Sequence, residues 1–385
     1  MSTPTPTLRA LEGADGILLV GASDRNADLY YATRFLAPDP FAFVATASNS
    51  AMLVNDLELD RAKLQATVDS VHSRTWYAAK VRDEKNRDPQ AHEVLLVMLR
   101  EMELRQLLVG EDFPLGLADA LRGEGIVLDV AESPLFPQRA LKSASELQYL
   151  REAMGAAQKA MQAAMEVLSS ATVREHKLYL EGETLTSERV RRTIHRTLLD
   201  EEYVAERTIV ACGDAACDPH QEGSGPLWAD QPIVIDIFPR SAVHGYFGDI
   251  TRTVVKGQAS PELKKVYATV EAAQKLVFDA VRGGADGAAI HRSVLSFFTD
   301  SGYETGARGG RNQGFFHGTG HGLGLEIHES PRISSVGDRL QSSQVVTVEP
   351  GLYYTGLGGV RIEDVVVVRD EGFENLTHFP KVLEL

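Results

Sequence analysis

Between residues 145 and 385 one pattern runs twice. Helical periodicity covers about 145–169 and 186–200, and two strand-like runs follow in PIVIDIFPRSAVHGYFGDITRTVV. The second passage opens at Ser260-Pro261, an N-cap and first-turn pair, and its first helix ends at Gly283-Gly284. Another helix runs from near Asp286 to Gly302, and SQVVTVEPGLYYTGLGGVRIEDVVVV supplies two more strand-like runs around a glycine-rich turn. The repeat is one of pattern, without residue-level similarity. Each strand pair carries one acid in its first apolar run and one at or near the start of its second: Asp236 and Asp249, then Glu349 and Glu363. This frame predicts an α+β domain with a pseudo-twofold axis, whose two sheets meet around four carboxylates.

An unpaired carboxylate buried among Ile, Val and Phe either takes up a proton or finds a cation. Taken singly, each acid would more ordinarily sit at a strand end or accept hydrogen bonds from arginine or backbone. Four at matched positions ask for more. Arg252 and Arg361 lie beside two of them and neutralise part of the charge; a pair of divalent cations does so more completely. Bridged cations roughly 3.5–4 Å apart are the arrangement that activates water.

The stretch HGTGHGLGLEIHE (317–329) offers imidazoles to such a centre. It lacks the HExxH order of a zincin helix and the GK[ST] of a phosphate loop. Its glycines disfavour a helix but let backbone approach a compact site closely. One of its three histidines would complete a four-carboxylate site, leaving the others, with His220 after ACGDAACDP, for acid–base or substrate contact. Mixed Asp, Glu and His ligation suits Mn, Zn, Co or Fe.

Elsewhere the chain is ordinary for a folded protein. Its 385 residues allow two or three domains. Ser143 and Glu146 form a capping box ahead of a regular apolar stripe, Leu147, Leu150, Met154, Ala157, Met161, Ala164 and Leu168. The preceding SPLFPQRALK places a domain boundary near 136–143, hence domains 1–140 and 141–385. In the first, strand and helix signals alternate: GILLVGA, FAFVA and AMLV, the helical AHEVLLVMLREM, then QLLVG, PLGLADALRGEG and IVLDV. That predicts an α/β domain with part of its sheet parallel. A net charge of −15 argues against nucleic-acid and anionic-membrane partners. The basic run Arg189, Arg191, Arg192 and Arg196 reads as a solvated helix face. Two cysteines, Cys212 and Cys217, build no disulfide framework. With no signal-peptide pattern at the N-terminus and no apolar run near the ~20 residues of a membrane span, a cytoplasmic protein is expected.

In this order, IVID…GDITRT, HGTGHGLGLEIHE, TVEPGLYY and GVRIED resemble the motifs of the M24-type pita-bread metallopeptidases, specifically the Xaa-Pro dipeptidases (prolidases) and Xaa-Pro aminopeptidases. The likeness covers about 145–385; the N-terminal part resembles the creatinase/prolidase α/β domain in size and pattern. The resemblance implies two divalent metal ions, manganese first, with zinc or cobalt as alternatives. Asp236 would bind one in bidentate fashion, Asp249 and Glu363 would bridge both, and His321 and Glu349 would bind the second. His220, His317 and His328 would contact substrate and stabilise the tetrahedral intermediate, with Arg361 nearby. A metal-bridging hydroxide, its proton taken by Glu349, would attack the carbonyl before proline. A homodimer is likewise implied.

The 13-residue spacing of Asp236 and Asp249 is wider than the family leads one to expect, so PRSAVH carries a short insertion, with His244 read as a surface-turn residue. The function that results is cleavage of the Xaa-Pro bond of dipeptides; the alternative is an Xaa-Pro aminopeptidase acting on longer peptides. Methionine aminopeptidases usually lack such an N-terminal domain, and creatinase lacks the ligand set. A non-catalytic pita-bread binding protein would have lost ligands, and a dinuclear phosphoesterase would want more His and Asn and a basic phosphate site.

Overall fold

A computed structural model describes residues 11, 13–131 and 134–385. The N-terminal stretch in which a leader was not expected lies largely outside them. The chain divides into two compact units, one reaching Arg139 and the other running from Ala140 to Leu385.

The first unit is α/β. Its strands are β1 (Gly16–Gly21), β2 (Phe41–Ala45), β3 (Ser50–Val54), β4 (Ser70–Ser73), β5 (Gln106–Val109) and β6 (Val127–Val130), ordered β4-β3-β2-β1-β5-β6. The β1–β5, β5–β6 and β3–β4 pairs are parallel, whereas β1–β2 and β2–β3 are antiparallel. Helices α1 (Ala27–Thr33), α2 (Asp56–Gln65), α3 (Arg74–Lys85), α4 (Ala91–Glu101) and α5 (Leu115–Gly123) join them. The first three and β4 escape the reading of apolar runs: α2 buries only Ala62 along its length and β4 is half-buried throughout.

In the second unit α6 (Ala144–Ser170) starts at the predicted capping box, with Ser143 and Glu146 each accepting the other's backbone N–H. Its apolar stripe from Leu147 to Leu168 is buried. A small meander, β7 (Thr172–Arg174), β8 (Lys177–Leu180) and β9 (Glu183–Thr184), leads to α7 (Ser187–Asp200). On α7, Arg189 and Arg191 do not simply face solvent. Arg189 pairs with Glu181, and Arg191 donates to the Glu222 and Gly223 carbonyls. Next come β10 (Tyr203–Val204), β11 (Ile209–Cys212), β12 (Ile233–Ile237), β13 (Arg240–Ser241) and β14 (Ile250–Val254), with β11-β12-β14 forming one antiparallel sheet.

Helices α8 (Pro261–Ala280) and α9 (Gly287–Asp300) open the second half, capped by Ser260 and Asp286. After the β15 (Gly306–Arg308) and β16 (Arg311–Gln313) hairpin come β17 (Gly320–Gly322), β18 (Glu329–Ile333), β19 (Val345–Val348), β20 (Gly351–Tyr354), β21 (Gly358–Arg361), β22 (Asp364–Val368) and β23 (Phe373–Asn375). The larger sheet is ordered β18-β17-β19-β22-β23. One expectation changes. The second strand pair is not a single hairpin: β19 pairs with β22, and β20 and β21 form a separate ribbon between them. Pro350 accounts for the break, because it has no N–H to carry the ladder onward. Glu349 therefore sits just past its strand rather than inside it.

The two halves are stitched along β14. The Glu363 N–H donates to the Thr251 carbonyl at 3.1 Å, and Thr253 Oγ1 exchanges hydrogen bonds with the backbone of Arg361. Behind this seam lies Arg252, 1% exposed. It does not neutralise the acid cluster as its position in sequence suggested, because alternation along the strand turns its side chain to the opposite face. All five of its N–H donors are engaged: Nε with the Pro380 carbonyl, Nη1 with those of Thr251 and Glu363, and Nη2 with Asp364 Oδ1 and the Phe379 carbonyl. Lys381 pairs with the other Asp364 oxygen at 2.9 Å. Removing one member of a buried pair strands the other. Arg252→Met should therefore lower stability to urea by roughly 3 kcal/mol, the low end of the range because Lys381 stays beside Asp364. A loss under ~1 kcal/mol in urea melts would refute this account.

Candidate metal centre

The strand alternation that turns Arg252 away turns Asp236, Asp249 and Thr251 toward one interior space. Asp236 lies within β12 opposite Thr251, and Asp249 immediately precedes β14. From the other half come His321 on β17, Glu349 after β19 and Glu363 before β22. Asp249, His321 and Glu363 each present a ligand atom, all within 4.8 Å of one another. His321 Nε2 lies 3.4 Å from Glu349 Oε1 and 3.7 Å from Asp249 Oδ2. Asp236 joins from the side. Its Oδ2 accepts from Arg361 Nη2 at 2.7 Å, and its buried Oδ1 has no hydrogen-bond partner.

The electrostatics are those of a space short of positive charge. Burial, and then the charges of Glu363, Asp236 and Glu349, push Asp249 well above the usual carboxylate range. Burial, then Glu349 and Asp236, do the same to Glu363. Glu349 is raised by burial to about 7, although Arg361 pulls the other way. Burial lowers His321 to about 3, so its ring is neutral. His321 Nδ1 lies 3.1 Å from the Gly322 carbonyl, which fixes the proton there and leaves the Nε2 lone pair facing the acids. A neutral imidazole with a fixed tautomer, carboxylates crowded together and an orphaned buried oxygen fit divalent cations.

The remaining expected residues form a chain of contacts beside this group. Arg361 donates to Asp236 and, through Nη1, to the Tyr353 hydroxyl at 2.9 Å; that hydroxyl lies 2.9 Å from His317 Nε2. His317 Nδ1 faces the Gly318 carbonyl at 2.8 Å, so both its ring nitrogens are engaged. Burial, with help from Arg361, holds His317 down at about 3. His328 is edge-on to His321, ring centroids 4.4 Å apart, and is exposed. His220 is exposed, and a charge on it would be felt at both His317 and His328.

His244 is a correction. It is not a surface-turn residue: at 8% exposure it stacks on Tyr149 of α6, centroids 4.6 Å apart. Tyr246 next to it donates to Glu146 Oε1 at 2.6 Å. The aromatic contacts offered to α6 outweigh the turn's nominal polarity, so the turn is held against α6 at His244 while Val243 stays exposed. The turn also reaches the HGTGHGLGLEIHE stretch, with the Phe247 N–H donating to the Gly324 carbonyl at 2.9 Å.

Sequence reasoning passed over the threonines that hold the acids. Thr251 Oγ1 donates to Glu363 Oε2 at 2.7 Å, Thr347 Oγ1 accepts the His321 N–H at 3.0 Å, and the Thr319 carbonyl accepts the Glu349 N–H at 2.9 Å. A signal existed for the first two. Thr251 and Thr347 each stand on a strand two residues from a site acid at its end, Asp249 and Glu349, and so on the same face.

These relations fit known proteins. The model of metallopeptidase family M24 matches residues 148–370. An Xaa-Pro dipeptidase of Lactobacillus delbrueckii subsp. lactis is 34% identical over 180 residues, 46% of each chain. One from Pyrococcus furiosus is 32% identical over 241 residues, 62% of this chain and 63% of its own. The match thus spans about half of the first relative and under two-thirds of the second. Among solved structures, an Xaa-Pro dipeptidase from Bacillus anthracis superposes with a TM-score of 0.81 at 25% identity, covering 98% of this chain and 97% of its own. An X-Pro aminopeptidase from Thermotoga maritima shares the fold, with a TM-score of 0.80 at 23% identity over 98% and 100%. Both are pita-bread folds of the prolidase and aminopeptidase P type, and this chain carries the expected N-terminal α/β domain beside such a fold.

Two expectations follow. In the metal-free protein Glu349, raised to about 7, keeps a proton that the unfolded chain gives up above pH 4.5, the ordinary glutamate value. Its own contribution to stability should fall as pH rises through that window, opposite in sign to that of His317 and His321, which burial lowers to about 3. Melting curves of wild type and Glu349→Gln in chelator isolate it: the difference should move in favour of Glu349→Gln as pH rises toward 7, and a difference that is flat or moves the other way would contradict it. The second expectation concerns backbone approach. A Cβ at Gly320 would lie 2.0 Å from the Thr347 carbonyl oxygen, whereas one at Gly318 meets nothing closer than 3.5 Å. Gly320→Ala should cost about 1–3 kcal/mol and weaken metal binding, with Gly318→Ala near neutral for stability in the same melts.

Proposed function

Because the chain belongs to metallopeptidase family M24, we propose that it is a dinuclear-metal hydrolase that cleaves the Xaa-Pro bond of dipeptides. The observation that carries this reading is the convergence of Asp249, His321 and Glu363 within 4.8 Å, with Glu349 and Asp236 at their flanks. Two curated relatives named Xaa-Pro dipeptidase support the substrate class. Asp236, Asp249, His321, Glu349 and Glu363 would hold two divalent ions, with manganese preferred over zinc or cobalt. Bound there, such ions lower the pKa of water toward neutrality and polarise a carbonyl.

The protein's own groups do the rest. Glu349 takes the proton of the attacking water on its carboxylate beside His321 and returns it to the prolyl nitrogen as the C–N bond breaks. The neutral ring of His328, next to His321, donates an N–H to the developing oxyanion, with His220 completing that side. His317 reaches substrate by exchanging its Tyr353 bond, while Arg361 keeps Asp236 and Tyr353 in register. The Xaa–Pro bond has no N–H for a general peptidase to grip, so recognition falls to shape and to the carbonyl.

The X-Pro aminopeptidase from Thermotoga maritima has the same fold, which keeps cleavage of longer peptides as the second reading. The same proposal includes a cytoplasmic location and a homodimer, the latter open to sedimentation analysis. Among the described residues no helix is long and apolar enough to cross a membrane.

Hydrolysis of Gly-Pro, Ala-Pro and Ala-Pro-Ala with added Mn²⁺ or Zn²⁺ tests the assignment. Dipeptides should be cleaved, and Asp249→Ala should reduce the rate by at least about 10³-fold, on the scale of losing a group central to the chemistry. Cleavage of the tripeptide alone would replace the dipeptidase by the aminopeptidase. No cleavage of any Xaa-Pro substrate with any metal would end the reading.

A further inference from the structure

Helix α8 buries Leu263, Val266, Tyr267, Val270, Ala273 and Val277 against the larger sheet, and in the middle of that face stands one amide, Gln274. It is fully buried. Its Nε2 donates to the Val348 carbonyl at 3.0 Å and to the Ile362 carbonyl at 3.2 Å, while its Oε1 has no hydrogen-bond partner. Each of those carbonyls belongs to the residue directly before a site glutamate, Glu349 and Glu363. The β19–β22 ladder ends at the pair Val348–Asp364, so Glu349 and Glu363 stand one residue beyond it and the amide grips the ladder's open end.

We infer that Gln274 is a positioning residue that sets the distance between Glu349 and Glu363 by clamping the peptide carbonyls that precede them. The inference rests on the two-metal reading above. A buried amide with an unpaired oxygen costs stability that an apolar residue in this stripe would not. The clamp gives that cost a purpose: one rigid NH₂ group ties both strands at the open end of this ladder to the same helix. Glu349 belongs to one proposed ion position and Glu363 to both. Loosening the clamp should therefore weaken the position built with Glu349 and His321 more than the one built with Asp236.

Gln274→Met removes both donors at similar size, and Gln274→Glu keeps size and polarity but offers at most one donor. Manganese titrations by calorimetry, with low-temperature electron paramagnetic resonance, read the outcome without turnover. Wild type should take two Mn²⁺ per chain and show an exchange-coupled pair. Folded variants should bind the first ion within about twofold of wild type and the second about ten- to a hundredfold more weakly, as when support behind metal ligands is lost. At two equivalents, isolated-ion signals should replace the coupled one. Unchanged affinities and coupling in either folded variant would overturn the inference. So would a lowered melting temperature with the ratio of the two affinities intact, which marks a merely structural amide. Wild type binding fewer than two ions would overturn the two-metal reading, and the clamp with it.

Discussion

Repulsion among Asp236, Asp249, Glu349 and Glu363 sets the terms for what surrounds them. Three of the four are raised or strongly raised in pKa by burial and by each other, so the folded chain holds them together against their own preference. What makes this tolerable is that no acid stands alone. Arg361 takes one oxygen of Asp236, Thr251 donates to Glu363, and the neutral His321 ring faces Asp249 and Glu349. These contacts are directional, yet the only full positive charge among them is Arg361. The arrangement is stable enough to form and incompletely neutralised, which is the condition a cation site needs.

The placement of the acids explains how the fold keeps them ready. Asp249, Glu349 and Glu363 sit beside strand ends, where the backbone is free to turn but the neighbouring residues are fixed by ladders, and Asp236 is held within β12 between two strands. The two halves meet along β14, and behind that seam Arg252 engages five acceptors. The proposed chemistry faces one side of β14 and the scaffolding the other, with successive residues Thr251 and Arg252 dividing the work by the pleat alone.

Much of this arrangement is legible in the amino-acid sequence. Both helix pairs, with Ser143 and Ser260 as caps, and the acids in apolar runs follow from local signals: periodicity, capping chemistry and the cost of an unpaired charge. The grouping of His321 with the acids needs the family resemblance to choose it from three histidines, and the Gly322 carbonyl gives the physical reason that its Nε2 is available. The rest is hidden because it is tertiary. Nothing near His244 in sequence tells that Tyr149 lies under it, and nothing near Arg252 tells that Asp364 does. The ribbon of β20 and β21 escapes for a different reason. Its glycines read as one long turn, although Pro350 marks the place where the ladder stops.

Arg252 carries one more consequence. Its acceptors reach from Thr251 to Pro380, and the proposed ligands span 236 to 363. A nascent chain that has exposed Asp236 and Asp249 outside the ribosome therefore has two crowded acids and a guanidinium with most of its acceptors still unmade. The centre has no partial form to settle into. It closes only once residues more than a hundred positions downstream have arrived, so under the two-metal proposal metal would be captured after synthesis rather than during it.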